Sequence, residues 1–325
     1  MEDLGKLMNL FGQVVRNETA GLRLRAEQAV VLAAKNLAHS NRTRERIKDF
    51  SDVEFQVFSQ WGEDGIIDWL VSALPPLPEI FIEFGVEDYT EANTRYLLQN
   101  RDWRGLVIDG SRENMMRLVC GPRHWMHDLT ATARFITRDN IDSIITGSGF
   151  GGEIGILSID IDGNDYWVWE AIQSVNPVIV ICEYNSVFGD IHPVSIPHTP
   201  DFERLTGHHS GQYFGASIKA LMHLAERKGY TFLGTPSTGV NAFFIRNDHF
   251  TYLKDRIENR KIYCARHRNS LDTSGRLTYV GGEKRIDLIS HLPVENVVTG
   301  ATSAIAALGR IYSKDFISQM RGRPV

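Results

Sequence analysis

The sequence predicts an α/β protein, a doubly wound sheet of seven strands with the last one antiparallel, preceded by an N-terminal helical extension. Three observations lead there. Apolar runs at 80–84, 106–108, 154–159 and 178–182 have the near-continuous pattern of strands buried on both faces. Segments with helical spacing stand between them, which is the alternation of a parallel sheet. Two late runs, 230–234 and 242–246, are joined by a short loop rich in Pro, Ser and Gly, so they close the sheet as an antiparallel pair.

Taken in order, residues 1–57 form the helical extension. Leu22, Ala26, Ala29, Val30, Ala33 and Leu37 recur at helical spacing and make one apolar stripe, which must pack on the body or on a second copy. The basic run 41–46 reads as a solvated helix end. Ser59, in F-S-Q-W-G-E-D-G, is placed to cap the helix that carries Ile66, Ile67, Trp69 and Leu70. Leu74-Pro75-Pro76-Leu77-Pro78 then makes a rigid connector.

The stretch 79–109 reads as strand, turn, helix, turn, strand. Gly85 follows the first strand at once, where a chain turns sharply or lets a ligand approach its backbone. Thr90 is placed to cap the helix containing Ala92, Tyr96 and Leu97. Glu83 ends the first strand and Asp109 the second, 26 residues on (109 − 83), where a βαβ unit offers a carboxylate to a ribose diol. Beyond lie a helix at 114–119, a third strand at 134–137 closing on Arg138-Asp139, and a short helix at 141–145. The loop G-S-G-F-G-G at 147–152 precedes a strand instead of following one, so it reads as a turn and not as a phosphate cradle.

The fourth strand delivers Asp160-Ile161-Asp162 and the fifth delivers Glu183-Tyr184-Asn185. A long irregular segment, 186–212, carries His192, His198, His208 and His209, and loops of that length commonly serve a site. A helix at 216–227 ends at Gly229. The organisation expected is an extension at 1–57, a catalytic domain at 58–250, and a peripheral helical and irregular extension at 251–325. Glu83, Asp109, Asp139, Asp160 and Glu183 then end successive strands on one rim, the side where open α/β sheets bind ligands. Five acids so placed would repel unless a cationic ligand or a metal sits among them.

Composition narrows the classes. A net charge of −5 gives no electrostatic reason to expect nucleic acid or an anionic membrane as partner. Cys120, Cys182 and Cys264 are scattered without a C-x-x-C pair, which suits a reducing cytoplasm. No apolar run approaches the ~20 residues of a membrane span, and the N-terminus lacks the features of a signal peptide.

F-I-E-F-G-V-E-D (81–88), V-I-D-G-S (107–111), L-S-I-D-I-D-G-N-D-Y-W-V-W (157–169) and G-V-N-A-F-F-I-R-N-D (239–248) together resemble the class I S-adenosylmethionine (SAM)-dependent methyltransferases, and within them the FkbM-like sugar O-methyltransferases. The resemblance runs from about Phe58 to Asp248 and implies a Rossmann-like methyltransferase sheet. It also implies methyl transfer from SAM to a hydroxyl of a sugar, polysaccharide or glycosylated metabolite. The cofactor set it implies is Gln60, Glu83, Gly85, Asn93, Thr94, Asp109, Ser111 and Asp139. Later glycine positions of the first motif hold Glu87 and Tyr89 here, which alters how that loop would meet the methionine part. Some methyltransferases of this fold hold Mg²⁺; the matching positions are Asp160, Asp162, Glu183 and Asn185, all oxygen donors, although Tyr184 separates the last two. Asp160 and Asp162 would be catalytic, with His208 and His209 as candidate bases.

Other readings remain open at this stage. D-I-D at 160–162 fits the D-x-D of a metal-dependent glycosyltransferase, which would leave the pair Glu83/Asp109 idle. A dehydrogenase is disfavoured because G-x-G-x-x-G is absent after the first strand. A non-catalytic scaffold of the same fold, assembling through its N-terminal helix, is the third alternative.

Overall fold

The computed structural model describes residues 2–122 and 124–322. The chain opens with α1 (Glu2–Arg42) and a 3-10 turn at Phe50–Asp52, then runs α2 (Glu63–Ala73), β1 (Ile80–Phe84), α3 (Arg95–Arg101), β2 (Arg104–Asp109), α4 (Arg112–Val119), β3 (Leu129–Ala133), α5 (Ile141–Gly147), β4 (Gly152–Ile159), α6 (Asp165–Ala171) and β5 (Val175–Glu183). After it come β6 (Val194–Ser195), α7 (Arg204–Gly207), α8 (Ile218–Arg227), β7 (Tyr230–Gly234), β8 (Asn241–Arg246), α9 (Asn247–Phe250), β9 (Pro293–Asn296), β10 (Thr302–Ala304) and α10 (Lys314–Arg321).

Seven strands form the main sheet in the order β3-β2-β1-β4-β5-β8-β7. The pairs among β1 to β5 are parallel, and β8 runs antiparallel to both β5 and β7. The doubly wound class is therefore observed, with the closing antiparallel strand where the loop composition put it. Alternate residues of each strand serve opposite layers, as period two demands. Ile82, Leu106, Ile108 and Leu157 face a layer holding α5, α6 and α8, with Trp169 and Leu221 in its core. Phe81, Val107, Ile156 and Ile181 face a layer holding α2, α3 and α4, with Trp69 and Leu97. Strand order reverses between β1 and β4, so the crevice opens at their carboxyl ends.

Three local expectations need correction. The third strand is Leu129–Ala133, not 134–137: L-T-A-T-A pairs with β2 as an edge strand, covered on one side only, and so lacks the apolar run of a central strand. The ladder ends where Arg134 N–H donates to Asp109 O, and residues 135–140 become a loop beside the crevice. Thr90 caps no helix, because Glu83 holds the backbone of Asn93 and Thr94 and α3 starts only at Arg95. Gly62 and not Ser59 is the N-cap of α2, yet Ser59 Oγ still accepts from Asp64 N–H at 3.1 Å.

α1 packs on the body by one face. The face packed on the body carries Val31, Ala34 and Ala38 against Phe55, Phe58 and Tyr96, with Glu27 bonded to Arg95. The expected stripe points the other way: Leu22 and Leu37 are 65% and 53% exposed, and Ala26, Ala29, Val30 and Ala33 are exposed with them. The C-terminal segment is also more structured than expected. β10, β9 and β6 form a second sheet over a small core of Phe188, Val194, Tyr213, Val294 and Ile305, which joins the tail to the 186–212 segment and brings residues 264–285 over the crevice.

Candidate functional site

Two cavities open at the carboxyl end of the sheet. The first, about 220 Å³, lies beside β1, β2 and β4 and is lined by Gly85, Asp109, Phe135, Asp160 and Asn164 among others. Gly85 has φ +71°, and a Cβ there would sit 1.6 Å from Asp160 O, so no other residue lets the two loops approach. Asp109 Oδ1 accepts from Ser111 N–H (2.7 Å) and Oδ2 from Glu87 N–H (2.8 Å), which fixes the carboxylate at the cavity wall. Ser111 itself caps α4 through Asn114 N–H.

Glu87 and Tyr89 have φ of +48° and +62°. They stand at the positions where glycines were expected, and the backbone keeps the glycine-like conformation at roughly 1–2 kcal/mol each. Tyr89 is held there by burial and by a 2.9 Å bond to Thr94 Oγ1. Glu83 is fully enclosed and does not reach this cavity. It accepts from Asn93 N–H (2.7 Å), Thr94 N–H (3.0 Å) and the Thr94 hydroxyl (2.5 Å), and burial pushes its carboxyl up. Glu83, Asn93 and Thr94 thus brace the 85–94 loop instead of lining the cavity, and Asp139 is not among the lining residues either.

The second cavity, about 470 Å³, is lined by Gln60, Trp61, Glu183, Arg204, His267 and Arg285 among others. Four of these residues hold a buried polar atom with no partner among the described residues: Trp61 Nε1, Glu183 Oε2, His267 Nε2 and Arg285 Nε. Buried polar atoms are ordinarily satisfied, so each of the four is a position that a water or a ligand atom would complete. The His267 ring stacks on Trp61 at 4.7 Å, and its pKa is lowered by burial, then by the nearby Arg285 and Arg204, which keeps it neutral.

The cavities meet at an acid cluster. Asp160 lines the first and Glu183 the second, and one oxygen from each, with one from Asp165, lie within 4.8 Å of one another. Burial first, then the neighbouring carboxylates, push Asp160 and Glu183 well above the usual carboxylate range. Asp165 is pushed up to about 6 by burial, against bonds accepted from Ile161 and Gly163 N–H that brace the turn. Arg204 joins the two sides: it pairs with Asp162, donates to Gly211 O at 2.8 Å and lies 3.7 Å above the Phe214 ring.

Several expected residues stand elsewhere. Asn185 lines the second cavity, but it accepts from Val187 N–H and donates to Gln212 O and Phe214 O, and the third carboxylate beside Asp160 and Glu183 is Asp165. Asp162 faces Arg204 and is outside that trio. His208 and His209 stack on each other at 4.2 Å and line neither cavity. Gln60 is on the wall of the second cavity, not the first. Sequence reasoning missed Asp165, Arg204, His267 and Arg285. The signals were a third acid in D-I-D-G-N-D and a histidine between arginines in R-H-R at 266–268.

No family profile and no curated protein matches this sequence. Among solved structures, the N-terminal domain of EvdMO1 with SAH bound is 12% identical, with 67% of this chain covering 94% of that one at a TM-score of 0.38. A SAM-dependent methyltransferase from Clostridium acetobutylicum is 11% identical over 57% of this chain and 90% of that one, TM-score 0.35. An O-methyltransferase family protein from Burkholderia thailandensis is 11% identical over 67% and 71%, TM-score 0.35. At these scores none of the likenesses fixes a function.

Proposed function

We propose that the chain is a SAM-dependent O-methyltransferase acting on a hydroxyl of a sugar or glycoconjugate. The observation that carries the reading is the junction of two cavities at Asp160 and Glu183, one walled by Asp109 and Gly85, the other ringed by unpartnered polar atoms. The sugar class rests on the FkbM-like motifs alone.

SAM would lie along Gly85, Asp109 and Asp160 and supplies an electrophilic methyl group. Each oxygen of Asp109 holds one N–H and keeps a lone pair for a ribose hydroxyl. His267, on the wall of the second cavity and held neutral, is the base for the proton of the acceptor hydroxyl. Positioning is left to the walls of the second cavity, which are fixed by packing. A divalent cation fits Asp160, Asp165 and Glu183, all oxygen donors with Glu183 Oε2 unpartnered, and would supply Lewis-acid help to the hydroxyl. The ion pair of Asp162 with Arg204 disfavours a D-x-D nucleotide-sugar site.

Two further parts of the reading concern context. No helix among the described residues is long and apolar enough to cross a membrane, and unpaired Cys120, Cys182 and Cys264 suit the cytoplasm. The exposed stripe of α1, with its small residues Ala26, Ala29 and Ala33, suits close pairing with α1 of a second copy.

Calorimetric titration with SAM and SAH, with and without Mg²⁺, tests the core of the proposal on wild type and Asp109→Ala. Micromolar binding lost in the variant supports it, and tightening by Mg²⁺ supports the cation. Absence of SAM and SAH binding alongside binding of a UDP- or GDP-sugar overturns it in favour of a glycosyltransferase.

A further inference from the structure

We infer that the acceptor carries an anionic group, a carboxylate or a phosphate, bound by Arg285 and Arg268 in the second cavity. The inference rests on the methyltransferase reading for the word acceptor, but its basis is the charge of that cavity. Arg285 is 3% exposed. One of its guanidinium nitrogens donates to Ala265 O, Nε has no partner, and no acid lies within ion-pair distance among the described residues. The neighbouring acid in sequence, Glu283, is engaged by Arg321 at 2.8 Å. A buried guanidinium held only by a carbonyl is costly to desolvate, and such a group is commonly completed by an anion.

The other charges on the wall point the same way. Arg268 lines the same cavity, is exposed at its rim and makes no ion pair among the described residues. Arg204 is neutralised by Asp162 and does not compete for the ligand. Three arginines and one acid, Glu183, thus line the cavity in a protein of net charge −5, a balance of charge that favours an anion. Two guanidinium forks suit the two-oxygen face of a carboxylate or phosphate. His267 and Glu183 on the same wall would then face the remainder of the acceptor, where the hydroxyls are. About 470 Å³ accommodates a charged monosaccharide with room for its attachment.

The test is titration of SAH-saturated protein with D-glucuronate, D-glucose 6-phosphate and D-glucose, on wild type, Arg268→Gln and Arg285→Met. At least one charged sugar is expected to bind wild type about tenfold more tightly than glucose, in line with a charge-assisted bidentate contact. That preference should fall to within about twofold in both variants while SAH affinity stays unchanged. Preference for glucuronate assigns a carboxylated acceptor, and preference for the phosphate ester a phosphorylated one. Equal binding of all three sugars, no binding of the charged ones, or a preference that survives both substitutions overturns the inference. Arg268→Gln alters an exposed side chain and keeps the test valid if Arg285→Met fails to fold. Failure of SAH to saturate the protein refutes the methyltransferase reading separately, since the sugar titrations can be run without it.

Discussion

Glu63, the first residue of α2, is wholly buried, and no cation faces it. Its carboxylate accepts from Trp61 N–H at 3.1 Å and from Asn241 Nδ2 at 2.9 Å, and burial, the largest influence, pushes its pKa up from 4.5 to about 7. In the unfolded chain the same group loses its proton near its ordinary value. Between these limits the native state binds more protons, so stability falls as pH rises, beginning near 4.5 and complete above about 7. A difference of 2.5 units (7 − 4.5) corresponds to about 3 kcal/mol at 1.36 kcal/mol per unit. Glu63→Gln removes the ionisation. The glutamine carbonyl can still accept from Trp61, and its amide can donate to Asn241 Oδ1, which has no partner now, once the Asn241 amide rotates. Urea unfolding of both proteins at pH 5, 6, 7 and 8 reads the effect. The acids of the crevice titrate in both proteins and cancel in the difference between the two curves, which reads Glu63 together with its repulsion of Asp64. The variant should gain on wild type as pH rises, reaching about 3 kcal/mol at pH 8. A gap that does not change with pH, or a variant less stable at pH 8, refutes the reasoning.

Other changes probe the site itself. Gly85→Ala places a methyl against Asp160 O and forces a positive-φ alanine; about 2–4 kcal/mol of stability should be lost in denaturant titration, together with SAH binding. His267→Gln keeps the ring's place polar but removes the base, so kcat should drop roughly 10²–10⁴-fold with SAH affinity unchanged and the pH dependence of kcat flattened. Leu22→Glu with Leu37→Glu alters only the exposed side of α1; sedimentation should show a dimer become a monomer, with the thermal midpoint of the body nearly unmoved.

The central strands were legible because burial on both faces writes an apolar run that period counting finds. β3 was not, since an edge strand needs no such run and Phe135, which drew the start of the strand five residues downstream (134 − 129), is 46% exposed. Of the two places the α1 stripe could pack, the body is taken by another face, with Ala34 and Ala38 against Phe55 and Tyr96, and the stripe is left exposed. The wall formed by Ala265, His267, Arg268 and Arg285 depends on the tail folding back over the 186–212 segment, a contact that no local pattern encodes.

The acid rim shows most clearly what separates a pattern from a site. Acids crowded at successive strand ends were expected to demand a cation, yet those examined in detail relieve their charge by different means. Glu83 is absorbed by two backbone N–H groups and a hydroxyl. Asp109 is held by the N–H groups of Glu87 and Ser111 and stays open to the first cavity. Asp160 and Glu183 are driven toward protonation by burial and mutual repulsion, with the guanidinium of Arg204 close by. This last pair stands where the two cavities meet, Asp160 on the first and Glu183 on the second. Chemistry at the rim therefore belongs to the acids whose charge the fold does not satisfy by itself. His267 differs from His208 in place: one nitrogen of His208 is engaged by Ser210 outside both cavities, whereas His267 stands on the wall of the second, its buried Nε2 without a partner among the described residues.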